Sequence, residues 1–421
     1  MNKGKVLLIS HLFSPNNAIG AVRPTKITKR LIADGYEVDV FTYGYTDNDS
    51  LYDEINVTNK YVINDKKVEF KKNTKVAGEP QQMAGFIYML KRHYVTYLSQ
   101  KRGEVFLNAF KKAYDEILCK NNYDVVFTTF GPLCCIEAGF YVKKKNPEIK
   151  WICDFRDPVL VSVTPTLYRP YFKYIQDKAC KKADVIVTVS NGYMQRICGD
   201  KYKDKSHMIP NGYEKTDLEN IADALFDDGK LHITYVGALY SGKRDLSPIF
   251  KAAKELIEEN LIDAKKIMFH YAGTDFSVYE AQAQKYELKN HIEDCGKLPR
   301  KECLELQYAS HLLVLSTWNE VGEEGVFPGK FLEYMLMNKP IVAVVDGGLA
   351  NSEVKQVMDE GNFGVTYEAA TASEDFNSLK AYIKKQYDNV INNGNVDFSP
   401  KKEVLDRYNY DNIIQRIEDI L

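Results

Sequence analysis

The sequence lacks the features that mark several classes of protein. No apolar run reaches the roughly 18 residues that a membrane-spanning helix needs. The net charge is only −2, so the composition gives no indication of nucleic-acid binding. None of the eight cysteines forms a C-x-x-C pair, and the seven histidines are scattered without the spacing of zinc ligands. We therefore expect reduced thiols, a cytoplasmic protein and no bound metal.

Two motifs for bound cofactors are also missing or weak. The small residues after the first apolar segment do not form the G-x-G-x-x-G fingerprint, so a dinucleotide cofactor has no support. A D-x-D string, Asp47-Asn-Asp49, is typical of metal-bound sugar nucleotides, but no buried strand lies directly before it. We expect neither a cofactor nor a metal ion.

The sequence does contain two series of short apolar segments that alternate with helical stretches. Nine of these segments are predicted strands: residues 6–10, 38–43, 125–129, 151–154 and 185–190, then 233–236, 267–272, 312–316 and 341–345. Strands that are apolar throughout are typical of parallel sheets with helices on both faces. The predicted fold class is therefore α/β, with two Rossmann-like, doubly wound domains facing each other across a cleft.

The length of 421 residues also suits two domains. We place an N-terminal domain at 1–212, a polar linker at 213–230 and a C-terminal domain at 231–400. Residues 401–421 are predicted to form a C-terminal helix that crosses back to the first domain. Ligands of such sheets bind beyond the carboxyl ends of the strands, so the loops that follow the strands are the candidate sites.

The most informative of these loops leads into the helix predicted to open at about Pro328. Gly329 permits a close approach of a ligand to the backbone, and the free N–H groups of a helix start attract anions. Lys330 adds a positive charge, and Glu333 lies one helical turn later on the same face. This spacing suits a diphosphate at the helix tip with ribose hydroxyls on the carboxylate. A solvated ion pair on a surface helix is the alternative.

A second cationic loop follows the strand at 233–236. Gly237 loosens this loop, and Lys243 and Arg244 are positioned to neutralise a leaving diphosphate. The loop that contains Lys297 and Leu298 offers backbone groups for a nucleobase, although an ordinary turn would look the same.

The N-terminal half offers two further candidate loops. The first contains His11, Gly20 and Arg23, with Gly20 near a helix start that suits a phosphate or a hydroxyl-rich acceptor. The second contains Asp154, Arg156 and Asp157 at the end of a buried strand. A carboxylate there would position or deprotonate an acceptor hydroxyl while Arg156 binds an anion. An internal Asp–Arg pair that stiffens the loop is the alternative.

Between residues 60 and 120 basic residues outnumber acidic ones by seven, and residues 83–98 combine apolar, aromatic and cationic side chains. Such a helix suits the surface of an anionic bilayer, and a core-packed helix with a solvated basic face is the alternative.

Taken together, these residues resemble the family-4 (group 1) glycosyltransferases, which are retaining enzymes of the GT-B fold, and in particular their bacterial surface-polysaccharide branch. The resemblance covers nearly the whole chain. It rests on Gly20-Ala-Val-Arg23, Asp154-Phe-Arg-Asp157, Val189-Ser190, Pro210-Asn-Gly212, Gly237 with Lys243, Gly273, Gly296, Gly329-Lys-Phe-Leu-Glu-Tyr334 and Lys339-Pro-Ile341.

The resemblance implies transfer of a sugar from a nucleotide-diphosphate donor to a glycan or polyprenyl-linked acceptor, with retention and without a metal. It implies cytoplasmic synthesis of capsule or lipopolysaccharide, with the protein soluble or peripheral on the inner face of the cell membrane. On this chain the resemblance implies that Lys243 binds the diphosphate and that Glu333 binds the ribose. It also implies that Gly20 approaches the donor phosphates and that the backbone at 297–298 binds the base.

Two departures from the family pattern leave details of the donor site open. The usual first glutamate, eight positions before Glu333, is replaced by Gly325, although Glu323 and Glu324 are close by. The usual arginine after the strand glycine is replaced by Ala238, for which Arg244 is the candidate substitute. A nucleotide-sugar epimerase or hydrolase of the same shape, and a non-catalytic sugar-nucleotide-binding subunit, are the alternative functions.

Overall fold

The computed structural model describes residues 3–16, 18–44, 55–63, 85–219, 221 and 224–421. This part of the chain divides into two compact units. Unit 1 holds the described residues up to Asn211 together with Tyr410–Leu421, and unit 2 holds those of Gly212–Asn409. The Asp47-Asn-Asp49 string lies outside the described residues.

Unit 1 is built on a sheet of seven parallel strands in the order β3-β2-β1-β4-β5-β6-β7. Its strands are β1 (Lys5–Ile9), β2 (Glu37–Tyr43), β3 (Asn59–Ile63), β4 (Val125–Thr129), β5 (Lys150–Phe155), β6 (Val185–Thr188) and β7 (Ser206–Met208). Its helices are α1 (Ile19–Ala33), α2 (Gly85–Glu116), α3 (Cys134–Lys145), α4 (Arg169–Lys182), α5 (Asn191–Cys198) and, at the end of the chain, α13 (Tyr410–Glu418). The strand order reverses between β1 and β4, which is where ligands of doubly wound sheets bind.

Unit 2 repeats this plan with six parallel strands in the order β10-β9-β8-β11-β12-β13. Its strands are β8 (Leu231–Val236), β9 (Ile267–Ala272), β10 (Ile292–Asp294), β11 (Leu312–Trp318), β12 (Ile341–Asp346) and β13 (Gly364–Glu368). Its helices are α6 (Ser247–Glu258), α7 (Phe276–Gln284), α8 (Arg300–Ala309), α9 (Gly329–Met337), α10 (Glu353–Gly361), α11 (Ala372–Asn393) and α12 (Lys402–Asp406). Here the order reverses between β8 and β11.

Each sheet carries an apolar cluster on both of its faces. In unit 1 one cluster joins Val6 and Leu8 of β1 to Ile413 and Ile417 of α13. The last helix of the chain therefore completes the core of the first unit.

The predicted α/β fold with two parallel sheets is confirmed, and each of the nine predicted strands coincides with an observed one. The prediction leaves out β3, β7, β10 and β13, which are the four edge strands of the two sheets. Edge strands expose one side and are short, so they lack the continuous apolar run that reveals a central strand. Two of them, β7 and β10, are indicated in the sequence only by the loops that follow them.

The unit boundaries differ from the predicted ones in two places. Most of the predicted linker, 213–230, is part of unit 2, where Leu218 and Ile221 pack against an apolar cluster. The predicted single helix at 401–421 is two helices, of which α12 belongs to unit 2 and α13 to unit 1.

No helix in the described part of the chain combines the length and the apolar character that crossing a membrane requires.

Candidate functional site

The loop after β8 begins in a conformation that only glycine adopts easily. Gly237 has φ +141° and its carbonyl accepts a hydrogen bond of 3.0 Å from the Tyr271 hydroxyl. A Cβ added at Gly273, in the loop after β9, would lie only 2.4 Å from the Gly237 carbonyl oxygen. The loops at the carboxyl ends of β8 and β9 are therefore packed against each other, and Gly273 has no room for a side chain.

Lys243 lies at the point where the strand order of unit 2 reverses. Its ammonium group is 2.8 Å from a carboxylate oxygen of Glu323 and 4.1 Å from the centre of the Trp318 ring. Trp318 ends β11 and Glu323 follows it, so Lys243 joins the loops after β8 and β11. The Lys243 side chain is 38% exposed, and the cation can therefore be reached by an anion from solvent.

Arg244 is held differently from its neighbour. Its Nη1 donates to the Tyr235 hydroxyl at 3.2 Å and to the Ala238 carbonyl at 3.0 Å. Its guanidinium lies over the ring of Tyr240, 4.6 Å from the ring centre. Arg244 therefore holds the loop after β8 in shape, which is a different role from the predicted stabilisation of a leaving group.

Glu333 on α9 is the acceptor of three side chains. Lys330 donates to it at 2.6 Å, Arg300 at 3.0 Å and Gln307 at 3.4 Å. Burial would raise the pKa of Glu333, but Lys330 and Arg300 lower it below its ordinary value. The carboxylate is therefore ionised at neutral pH and oriented by its neighbours, as a group that accepts hydrogen bonds from a diol needs to be.

The start of α9 has open space in front of it. Helix α9 begins at Gly329 with Pro328 as its N-cap, one residue later than predicted. A Cβ added at Gly329 would meet no described atom within 4 Å. Packing against the described residues therefore does not explain the glycine at this position. A ligand that approaches the backbone closely would explain it.

The predicted base-binding loop is tied to the loop after β9. Gly273 donates its N–H to the Gly296 carbonyl at 2.9 Å. Lys297 is exposed, and the Leu298 carbonyl accepts from the thiol of Cys303 on α8. The structure thus fixes the backbone of this loop, and its contact with a base stays a prediction.

In unit 1, Arg156 connects the carboxyl ends of β4 and β5 with the start of α1. It follows β5, and its guanidinium donates to the carbonyl of Gly20 at 2.5 Å and to that of Phe130, after β4, at 2.9 Å and 3.0 Å. A Cβ added at Gly20 would come within 2.7 Å of the Leu12 side chain and 3.1 Å of Arg156. A larger residue would not fit at Gly20 because Leu12 and Arg156 are too close. These N–H groups of Arg156 donate to backbone carbonyls and not to the acceptor substrate.

The predicted roles of Arg23 on the acceptor side and of Asp154 in catalysis are not supported by the geometry. Arg23 donates to both oxygens of Asp154, at 2.9–3.2 Å, and to the carbonyls of Ile209 and Pro210. Asp154 also accepts from Thr129 at 3.0 Å, and its side chain is completely buried. The pair joins α1, β5 and the loop after β7, and neither side chain is presented to a substrate.

Asp157 and His11 are the remaining candidates of unit 1. Asp157 is exposed to solvent. Partial desolvation by the surrounding protein raises its pKa above the ordinary value, and screening by solvent weakens this effect. His11 is buried and stacked on Tyr43, with ring centres 5.2 Å apart. Burial, and to a smaller extent Arg102, lower the pKa of His11 to about 4, so its ring is neutral at pH 7.

The comparisons with known proteins agree with this architecture. Residues 22–216 match the model described as "Glycosyltransferase Family 4", and residues 217–397 match "Glycosyl transferases group 1". The chain belongs to this group of GT-B glycosyltransferases. A search of curated proteins found no sequence match.

Three solved structures show the same fold over nearly the whole chain. Sucrose-phosphate synthase from Thermosynechococcus elongatus is 15% identical with a TM-score of 0.63, covering 99% of this chain and 98% of that one. A structure described as trehalose-6-phosphate from E. coli bound with UDP-2-fluoro glucose is 12% identical with a TM-score of 0.60 and the same coverage. The apo form of the lipopolysaccharide outer core galactosyltransferase WaaB is 12% identical with a TM-score of 0.53 and the same coverage.

Sequence reasoning missed two side chains of the unit 2 site. Trp318 lies at the end of β11, beyond the residue where the predicted strand stops, and Arg300 is the second cation on Glu333. Trp318 is one of only two tryptophans and follows an apolar run, which was a usable signal. Arg300 is 33 residues from Glu333 in the chain, and only the packing of α8 beside α9 brings them together.

Proposed function

We propose that this protein transfers a sugar, with retention and without a metal, from a nucleotide-diphosphate donor to a glycan or polyprenyl-linked acceptor in bacterial surface-polysaccharide synthesis. Unit 2 would hold the donor, and Asp157 and His11 of unit 1 would lie on the acceptor side. The transfer would take place on the inner face of the cell membrane.

The observation that carries this proposal is the position of Lys243. It is a half-exposed cation at the reversal of strand order, held on the Trp318 ring and paired with Glu323. Lys243 is the more exposed partner, at 38% against 13% for Glu323, so a phosphate would approach from the lysine side and share or replace the contact with Glu323.

The chemical difficulty of the reaction is negative charge on the leaving diphosphate. Lys243, Lys330 and the N–H groups at the start of α9 are the groups we assign to stabilise that charge. Loss of one such group typically raises the barrier by roughly 3–4 kcal/mol. Glu333 would accept hydrogen bonds from the ribose, with Arg300 and Lys330 keeping it ionised.

Membrane attachment is proposed because apolar side chains are exposed on two neighbouring elements of unit 1. On α2 these are Met89, Leu90, Tyr94 and Tyr97; Leu167 is 81% exposed in the short turn before α4, and Tyr174 is exposed on α4 itself. The rings of His93 and Tyr168, 6.2 Å apart, bring the two elements together. Exposed apolar groups among cations suit the interface of an anionic bilayer.

The transfer is tested with a panel of nucleotide sugars, incubated with and without a crude polyprenyl-linked acceptor fraction. We expect a glycosylated lipid product that forms only with acceptor present, with anomeric configuration retained. Sugar release or isomerisation from donor alone would instead support a hydrolase or epimerase. Donor binding without any turnover would support the non-catalytic subunit.

Membrane attachment is tested by co-sedimentation with vesicles that contain or lack anionic lipid. The double variant Tyr94→Ser with Leu167→Ser should bind anionic vesicles at least several-fold more weakly than the unmodified chain. Val321→Ser is the matched control, because Val321 of unit 2 is 83% exposed. Equal sedimentation of the chain and its double variant would remove the membrane from the proposal.

A further inference from the structure

Three side chains at the edge of the unit 2 sheet have the donor atoms of a metal site. His270 on β9 lies opposite Glu293 on β10 in the strand register, and Cys295 follows Glu293 by two residues on the same face. A ring nitrogen of His270, a carboxylate oxygen of Glu293 and the sulfur of Cys295 all lie within 4.8 Å of one another.

His270 is held by a chain of hydrogen bonds that leaves this nitrogen facing the cluster. Its Nε2 is 2.7 Å from Nδ1 of His232, and Nε2 of His232 is 2.7 Å from a carboxylate oxygen of Asp228. Phe226 stacks on both imidazole rings, 4.0 Å and 4.8 Å from their centres, and fixes their planes.

When both imidazole rings are neutral, this order of contacts leaves a lone pair on Nδ1 of His270. The Asp228 carboxylate only accepts, so the proton of a neutral His232 ring is on Nε2 and its Nδ1 is bare. A neutral His270 then donates from Nε2 and keeps a bare Nδ1. This buried atom is 2.8 Å from Glu293 without the geometry of a hydrogen bond, and no other described atom bonds to it. Two electron-rich atoms at this distance require a cation or a proton between them.

We propose that unit 2 binds one zinc ion through His270 Nδ1, the Glu293 carboxylate and the Cys295 thiolate. The proposal goes beyond sugar transfer and replaces the expectation that no metal is bound, while the transfer itself is still proposed to use no metal. Nitrogen, oxygen and sulfur ligands are those that zinc takes in proteins, and the Asp228–His232 pair is the kind of hydrogen-bonded support that orients a ligating histidine.

The dimensions of the cluster fit this ion with small side-chain rotations. Zinc–nitrogen and zinc–oxygen bonds of about 2.0 Å and zinc–sulfur bonds of about 2.3 Å place ligand atoms roughly 3–4 Å apart. The Glu293 side chain is 59% exposed, so it is able to move and a water completes the tetrahedron. Binding displaces the thiol proton of Cys295 to solvent. The ion would pin the short edge strand β10 and the start of the loop that contains Lys297.

The test is titration of chelator-stripped protein with Zn²⁺ against a chromophoric indicator, and with Co²⁺ by absorption spectroscopy. We expect one equivalent of Zn²⁺, a rise in the melting temperature, and a thiolate-to-cobalt charge-transfer band. Cys295→Ser should abolish the band, and Glu293→Gln should weaken Zn²⁺ binding at least tenfold. Both positions are partly exposed, so these variants should fold. Asp228→Asn should weaken binding by about tenfold through the oriented ring alone.

Cys119→Ser is the control: Cys119 is an exposed thiol of unit 1, so its substitution removes only adventitious Zn²⁺ binding. Failure to bind Zn²⁺, absence of the cobalt band, or equal Zn²⁺ affinity of the chain and Cys295→Ser would each overturn the proposal and assign a shared proton to His270 and Glu293. The measurements use no sugar donor or acceptor, so failure of the proposed transfer would leave their result unchanged.

Discussion

At the residue scale, burial separates two ion pairs of the same chemical type. Arg23 and Asp154 are almost completely enclosed and have their hydrogen bonds satisfied by protein, so they are part of the framework of unit 1. In the Lys243–Glu323 pair the lysine is 38% exposed, so this cation, unlike Arg23, is open to contact with an anion from solvent.

Asp154→Asn is expected to destabilise unit 1 by about 3–5 kcal/mol, because it leaves the buried Arg23 guanidinium without its counter-charge. The measurement is urea unfolding in a Trp318→Phe background, where the buried Trp151 is the remaining tryptophan and reports on unit 1. Asp157→Asn, on the exposed neighbour, should change stability by less than about 0.5 kcal/mol. A stable Asp154→Asn protein without turnover would restore the catalytic role of Asp154.

The free energy of unfolding of unit 2 should fall as the pH rises, because the partly buried Asp346 side chain loses its proton. Burial raises its pKa to about 7, opposed by a hydrogen bond from the backbone of Asp245. Because this folded-state pKa is above the unfolded value, the stabilising contribution is complete in acid and is lost as the pH rises to about 7. The loss is at most about 4 kcal/mol. Urea unfolding followed by circular dichroism at pH 5 and pH 8 should show the part of this loss that falls above pH 5, at most about 3 kcal/mol, in the chain and not in Asp346→Asn. Parallel behaviour of the two proteins would contradict the prediction.

Most single candidate residues follow a central strand, whereas Lys297 and Leu298 follow the edge strand β10. Gly237, Lys243 and Lys330 became candidates because an apolar run comes before each of their loops or helices, and their contact with a ligand stays a prediction.

Strand register and helix packing between distant segments bring Arg300 to Glu333 and Trp318 to Lys243. They also bring His232 into contact with His270. The spacing of the histidines in the sequence therefore did not indicate that two of them are in contact.

At the scale of elements, the strands buried on both faces were predictable and the edge strands were not. Every residue of β4 and β8 is buried, whereas β3 and β10 contain no buried residue. The hydrophobic pattern therefore revealed the order of the central elements but could not give the width of either sheet.

Helix α9 gives a test that separates ligand approach from folding. Gly329→Ala should leave the melting temperature equal or slightly higher, because alanine favours a helix and no described atom is in its way. It should weaken binding of a nucleoside diphosphate several-fold if a phosphate closely approaches this backbone. Gly348→Ala is the matched control, since its Cβ would also meet no described atom within 4 Å. Unchanged nucleotide affinity of Gly329→Ala would remove Gly329 from the site.

At the scale of the whole molecule, the chain leaves unit 1, forms unit 2 and returns to finish the first core. Helix α13 follows unit 2 in the sequence, yet Ile413 and Ile417 are completely buried beside β1 and α1. The apolar face of this segment was visible in the sequence, but its partner was not, because packing over such a distance leaves no local pattern.

Ile417→Ala should therefore destabilise unit 1 by about 2–5 kcal/mol, the usual range for a large buried side chain. Urea unfolding monitored by Trp151 in the Trp318→Phe background measures this effect. Gln415→Ala, on the exposed side of the same helix, should have little influence. A Trp151 transition that does not respond to Ile417→Ala would contradict the assignment of α13 to unit 1.

The central claim is that a nucleoside diphosphate binds at the β8–β11 reversal through Lys243, and calorimetric titration of a nucleoside-diphosphate panel tests it most directly. We predict that at least one diphosphate binds and that Lys243→Met weakens it by about 10–100-fold, as loss of a charged hydrogen bond does. Binding of the corresponding nucleoside, which lacks phosphate, should not change. Lys265→Met is the control, since Lys265 lies in the turn directly before β9 and so at the amino ends of the strands, whereas Lys243 follows the carboxyl end of β8. Equal affinity of the chain and Lys243→Met for every diphosphate that binds would contradict the claim.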